Sequence, residues 1–129
     1  VNDGLVTKRS PHDVGETISA LRTAAERMGA VVATVVDHAA AARKAGLDMP
    51  ETQVIIFGNP QVGTPLMQVN PELAIDLPIR VMVRDDGQPG SLVTWQDSAY
   101  LAQRYGLGED QTKPLNAQRL VQSVTEAGS

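Results

Sequence analysis

The chain has no cysteine, which removes disulfides, thiolate metal sites and thiol nucleophiles together. Aromatic residues are nearly as scarce, with one Trp, two Tyr and one Phe in 129 residues. The core must therefore be assembled from Val, Leu, Ile, Ala and Met. No apolar run approaches the roughly 18 to 20 residues needed to cross a bilayer, and no charged-then-apolar leader opens the chain. Positive charge is never concentrated: the longest basic runs are the pairs Lys8-Arg9 and Arg43-Lys44. With a formal charge of -4 and acids and bases intermixed, neither nucleic acid nor an anionic membrane is the expected partner, because both need clustered positive charge to displace counterions. The expectation is a soluble domain, with cytoplasm and periplasm both open.

What is present fits one domain over residues 1–129, since this length buries a single core but not two. Leu5-Val6-Thr7 is β-prone. Ser10-Pro11-His12-Asp13 then reads as a helix start, with Ser10 as cap, Pro11 in the first turn and Asp13 at the positive end of the dipole. Val14, Ile18, Leu21, Ala25 and Met28 recur at steps of three and four, the pattern of an apolar helical stripe, and Gly29 suits a left-handed terminus. Val31 to Val36 and Val54 to Phe57 are strands; between them Asp37 caps a short alanine-rich helix closed by Gly46. Ile79 to Arg84 and Ser91 to Gln96 flank a turn-rich stretch and form a hairpin. Asp97 caps a helix ending at Gly106, and a last helix starts near Pro114, carrying Leu115, Leu120, Val121 and Val124. The final three residues are expected to fray. Helices interleaved with strands and one tight hairpin point to the α+β class, with an antiparallel or mixed sheet and helices mainly on one face.

The segment Ile55-Ile56-Phe57-Gly58-Asn59-Pro60-Gln61-Val62-Gly63-Thr64-Pro65-Leu66-Met67-Gln68 combines a strand with the glycine spacing of a phosphate loop. The chemistry of such a loop is missing, because Thr64 and Pro65 occupy the places of the lysine and the magnesium-binding hydroxyl. Pro60 and Pro65 also lack the N–H groups that would cradle an anion. Two readings remain. In one, Asn59 and Thr64 are helix caps, and Gly58 and Gly63 supply backbone angles that a side chain would strain. In the other, closely spaced helix starts aim N–H groups and the Asn59 side chain into one concavity suited to a carboxylate or another small anion.

His12, in a first helical turn, reads as a surface residue. His38 follows a strand and Asp37, where it either fixes a corner or faces a cleft. The two histidines lack metal-ligand spacing, and no Gly-x-Ser-x-Gly elbow supports a serine nucleophile. Glu51, Asp76 and Asp97 are candidate carboxylates, although Asp97 has a capping explanation and Asp76 lies in a turn before Leu77-Pro78.

The stretches "GLVT", "DHAAAARKAGLDM", "IIFGNPQVGTPLMQVNPELAIDLPIRVMV" and "WQDSAYLAQRYGL" together resemble the bacterial and archaeal domain of unknown function 302 family over nearly the whole chain. The marks are Asp37-His38-Ala39, Phe57 to Met67, and Asp76-Leu77-Pro78; a departure is Trp95-Gln96-Asp97, where the family often has Tyr-Asn-Asp. The resemblance implies a TATA-binding-protein-like arrangement of helices against an antiparallel sheet and association into dimers. It implies no activity, because the family has no established one, and leaves the cofactor unknown.

The resulting expectation is a small-ligand-binding or interaction domain whose site joins Asp37 and His38 to Asn59, Gly63 and Thr64. The alternative is a hydrolase- or lyase-type enzyme using His38 as general base, oriented by Asp37 or Glu51. A homodimer is expected in either case, because consecutive apolar residues in two strands place apolar groups on both sheet faces.

Overall fold

The computed structural model describes residues 3–126; the final three residues, expected to fray, lie outside them. Five strands, β1 (Leu5–Ser10), β2 (Val31–Asp37), β3 (Thr52–Gly58), β4 (Ile79–Arg84) and β5 (Ser91–Gln96), form one sheet in the order β1-β5-β4-β3-β2. Every neighbouring pair is antiparallel. The helices are α1 (Val14–Arg27), α2 (His38–Lys44), α3 (Pro60–Val69), α4 (Ser98–Tyr105), the single turn α5 (Glu109–Thr112) and α6 (Gln118–Thr125). Two 3-10 turns, Pro71–Asp76 and Lys113–Leu115, complete the order. The α+β class holds, and the sheet is antiparallel rather than mixed.

The strand pattern explains where the core sits. In β3, β4 and β5 alternate residues Ile55, Phe57, Val81, Val83, Val93 and Trp95 turn to one face and are buried. Helices α1 and α6 cover that face with Val14, Ile18, Leu21, Ala25, Leu120, Val121 and Val124. Burying a Leu21-sized side chain completely contributes about 1.5–3 kcal/mol, and Leu21 is 0% exposed. A second cluster, Leu66, Leu73, Leu101 and Leu115, ties α3, the first 3-10 turn and α4 together at the end of the sheet.

Local signals located most boundaries. Asp37 and Asp97 accept from Ala40 N at 2.9 Å and Ala99 N at 3.0 Å, and both cap as expected. Gly29 and Gly106 take positive φ, 86° and 66°, the left-handed angles that favour glycine.

Four expectations need correction. Helix α1 starts after Asp13, which accepts from Glu16 N at 2.8 Å; Ser10 does not cap, because it still pairs with Ser91 in the sheet and its hydroxyl is bound to Thr17 at 2.8 Å. Strand β1 correspondingly runs three residues further than Leu5-Val6-Thr7. Met28 leaves the buried stripe and is 62% exposed, because α1 ends at Arg27. Finally, Pro114 lies in a 3-10 turn and the last helix begins only at Gln118.

Candidate functional site

Where β3 ends and β2 and β4 begin, the sheet, α1, α3 and the segment leading into α6 leave a cavity of about 450 Å³. Its walls are apolar, including Met28, Val31, Phe57, Met67, Leu77 and Leu120; its polar side chains are Asn59, Thr64 and Asn116. Among the described residues no Lys, Arg, His, Asp or Glu lines it. Nothing in the wall would offset a charge, whereas an uncharged apolar group would be desolvated favourably.

The strand-to-helix turn that opened the phosphate-loop question forms one side of this cavity. Asn59 Oδ1 accepts from Gln61 N at 3.0 Å, and Pro60 occupies the first turn, where a missing N–H costs nothing. The Asn59 cap is therefore real, and its amide N–H₂ donates to no described residue. Thr64 is not a cap: α3 runs through it and through Pro65 as one helix. Gly58 and Gly63 are absent from the positive-φ glycines, so backbone strain does not select them. Space does. A Cβ on Gly58 would lie 3.3 Å from Pro78 Cβ, and one on Gly63 would lie 3.4 Å from Leu77 Cδ1. Gly58 lets the end of β3 lie close against Pro78, whereas a methyl on Gly63 would meet Leu77 at little less than ordinary contact distance.

The structure does not bring the two motifs of the expected site together. Because β2 and β3 are antiparallel, Val31 sits opposite Gly58 while Asp37 sits opposite Gln53. Asp37 and His38 therefore lie at the far end of the ladder from Asn59, Gly63 and Thr64, about 20 Å away at roughly 3.3 Å per residue. Asn59, Gly63 and Thr64 all line the cavity; Asp37 and His38 do not. Asp37 is committed to capping α2, His38 is exposed as its first residue, and Glu51 pairs with Arg43 at 3.1 Å. Neither carboxylate orients His38, so the general-base arrangement does not form.

One polar network was not anticipated. Asp76 is bound by Arg80 at 3.0 Å, lies 3.8 Å from Arg104 and accepts from the Tyr105 hydroxyl. Burial, reinforced by the Asp76 hydrogen bond, raises the Tyr105 pKa. Asp76 and Arg80 are four residues apart, but Asp76 ends a 3-10 turn and Arg80 lies in β4, so the helical spacing rule gave no signal for the pair. The network fixes the segment carrying Leu77 and Pro78, which line the cavity. Met28, Asn116 and Leu120 carried no local signal of their place in the cavity wall, since they are distant in sequence from the strand-to-helix turn that forms its other side. Among the described residues no group of three or more His, Asp or Glu could hold a metal ion.

These features define a small α+β domain with an apolar cavity at one end of an antiparallel sheet. The chain belongs to the family described as Domain of unknown function DUF302, whose model matches residues 6–127. It is similar to Fluoride-specific ion channel FluC 1 of Brucella suis biovar 1 (strain 1330), at 49% identity over 108 residues, covering 84% of this chain and 42% of that protein. Fluoride-specific ion channel FluC 2 of Brucella melitensis biotype 1 is likewise 49% identical over 108 residues, with 40% of its length covered. The chain thus spans less than half the length of these curated relatives. No helix among the described residues is long and apolar enough to cross a membrane. In fold it is similar to the crystal structure of an uncharacterized conserved DUF302 protein from Bacillus stearothermophilus, with a TM-score of 0.81 at 14% identity, covering 96% of this chain and 97% of that one.

Proposed function

We propose that this domain is a non-catalytic binding module that holds a small, uncharged, mainly apolar molecule at the end of its sheet. The observation that carries the reading is the cavity of about 450 Å³, which falls within the roughly 300–1,000 Å³ typical of small-molecule sites. The Asn59 amide and the Thr64 hydroxyl supply the few polar contacts that would fix the ligand's orientation. The absence of a lining cation moves the expected ligand from a small anion or carboxylate to a neutral compound. In the Brucella relatives the matched stretch is less than half of a longer protein, which favours a module that senses or holds a ligand for the rest of its chain. The module acts as a homodimer, a reading supported by apolar side chains left at the surface, among them Leu5, Val31 and Val36 at 55%, 64% and 36% exposure.

A thermal-shift screen tests the ligand reading, comparing neutral apolar compounds, short carboxylates, inorganic anions, divalent metals and nucleotides on the wild type, Thr64→Trp and His38→Ala. Thr64 is exposed at the cavity rim, so an indole there obstructs entry without entering the core. Neutral compounds should stabilise the wild type and His38→Ala by about 2.7 kcal/mol at a hundredfold excess over the dissociation constant, and Thr64→Trp should lose the effect. Stabilisation by anions alone, or stabilisation abolished by His38→Ala, would contradict the proposal.

A further inference from the structure

We infer that the homodimer forms by antiparallel pairing of β2 with β2 of a second copy, and that this pairing completes the wall of the cavity. The inference rests on the homodimer reading and adds its location.

The two edges of the sheet differ. Edge strand β1 carries Lys8 and Arg9, held by Glu126 at 2.9 Å and Asp86 at 2.5 Å; charged side chains of this kind are how natural edges resist a second strand. Edge strand β2 carries no charge from Val31 to Val36 and no proline, and its side chains are β-branched or small. Its free main-chain donors and acceptors are an open template.

The sequence of that edge, Val31-Val32-Ala33-Thr34-Val35-Val36, reads nearly the same in both directions. Two antiparallel copies centred between Ala33 and Thr34 would set Val31 against Val36 of the partner subunit and Val32 against Val35 of the partner subunit. In a regular strand, residues three or five apart point to opposite faces, so such pairs would be mismatched. The bulge removes the mismatch. The β2–β3 register slips by one residue between Val32 and Thr34, so Val32 and Val35 lie opposite Phe57 and Ile55, both buried on the helix-covered face. Val31 and Val36 then share the other face. A bulge that would blunt an edge against an arbitrary strand thus phases this one for its own copy, as an isologous two-fold contact requires.

Val31 and Ala33 belong both to this edge and to the cavity lining, beside the exposed rim residue Met28. A second strand along β2 would extend the rim on that side.

The test is the double variant Thr34→Lys/Val36→Lys, whose residues lie on the edge but outside the cavity lining; a lysine at 34 would meet its symmetry mate beside the two-fold axis, and one at 36 would be set against the apolar Val31 of the partner subunit. Light scattering at micromolar concentration should give the wild type twice the 13.7 kDa chain mass and the variant a single mass, with Trp95 fluorescence unchanged as the check on folding. The neutral fluorophore N-phenyl-naphthylamine, used as probe, should bind the variant about tenfold more weakly, a difference of one decade in dissociation constant. A monomeric wild type overturns the homodimer reading and this inference together. A variant that remains dimeric overturns the edge assignment alone, and a monomeric variant that binds the probe unchanged overturns the shared wall.

Discussion

Replacing Thr17 by Val should cost about 2–3 kcal/mol although it removes almost no volume, because what it removes is the centre of a buried hydroxyl cluster. Thr17 is 0% exposed in α1, as are Ser10 at the end of β1 and Ser91 at the start of β5. Thr17 Oγ1 lies 2.8 Å from Ser10 Oγ, 3.3 Å from Ser91 Oγ and 3.3 Å from the His12 carbonyl oxygen. Around it, Ser91 donates to the same carbonyl at 2.8 Å, and His12 N donates to Ser10 Oγ at 3.1 Å. The cluster pins α1 to both strands at one corner of the sheet. Valine matches threonine in shape, so no cavity opens. The lost hydrogen bond contributes about 0.5–1.5 kcal/mol, and a hydroxyl left without its partner in the core costs about 1–3 kcal/mol. Because much of the cost is the stranded Ser10 hydroxyl, adding Ser10→Ala should cost less than the sum of the single changes, by roughly 1 kcal/mol. Urea unfolding followed by Trp95 fluorescence measures all three variants. Trp95 is 3% exposed and is the chain's one tryptophan, so its emission reports loss of the core directly. A Thr17→Val change below about 0.5 kcal/mol, the usual range of a surface substitution, or strict additivity in the double variant would refute the reasoning.

Asn59→Ala should destabilise by about 1 kcal/mol through loss of the α3 cap, measurable in the same urea assay; no change would mean that the Gln61 N–H finds another acceptor. Gly63→Ala should be neutral or stabilise by up to about 1 kcal/mol, since the residue lies within a helix at negative φ and alanine is the better helix former. A melting temperature lowered by several degrees would show that Leu77, 3.4 Å from the added methyl, cannot yield. The hydrogen bond from Arg9 lowers the Asp86 pKa below its usual 3.8, so the stability it supplies is present above that value and is lost as pH falls through the lowered folded-state value. Asp86→Asn should flatten this acid limb while leaving the pH dependence above about pH 5 unchanged; an acid limb identical to that of the wild type would remove the pair from the account. Burial and the Asp76 contact raise the Tyr105 pKa, so its contribution is fully present below the unfolded tyrosine value near 10 and fades as pH rises through the higher folded value. Tyr105→Phe should therefore abolish an alkaline loss of stability seen in the wild type, as followed by melting temperature against pH.

Much of the fold was legible residue by residue. The β4–β5 hairpin, the Asp37, Asn59 and Asp97 caps, the left-handed Gly29 and Gly106, and the α1 stripe from Val14 to Ala25 stand where periodicity and end chemistry put them. Each depends on interactions within a few residues, so a short window of sequence contains the physics. Ser10 and Met28 were misread for the complementary reason: a serine that could cap a helix gained more from Thr17 and the sheet, and an apolar step continued past the turn where α1 stops. The site was legible only in part. Asn59, Gly63 and Thr64 stayed with the cavity, while Asp37 and His38 were carried to the opposite end of the ladder by one fact, that β2 runs antiparallel to β3. Strand direction and neighbour order are set by competition among pairings distant in sequence, decided by which arrangement lets α1 and α6 cover the greatest apolar area. The sequence by itself therefore determined the elements, their ends and their buried faces. Only the tertiary structure decided which ends meet, and the cavity exists because Met28 and Val31, Phe57 and Met67, Leu77, and Leu120, from separate stretches of the chain, converge where those strands begin and end.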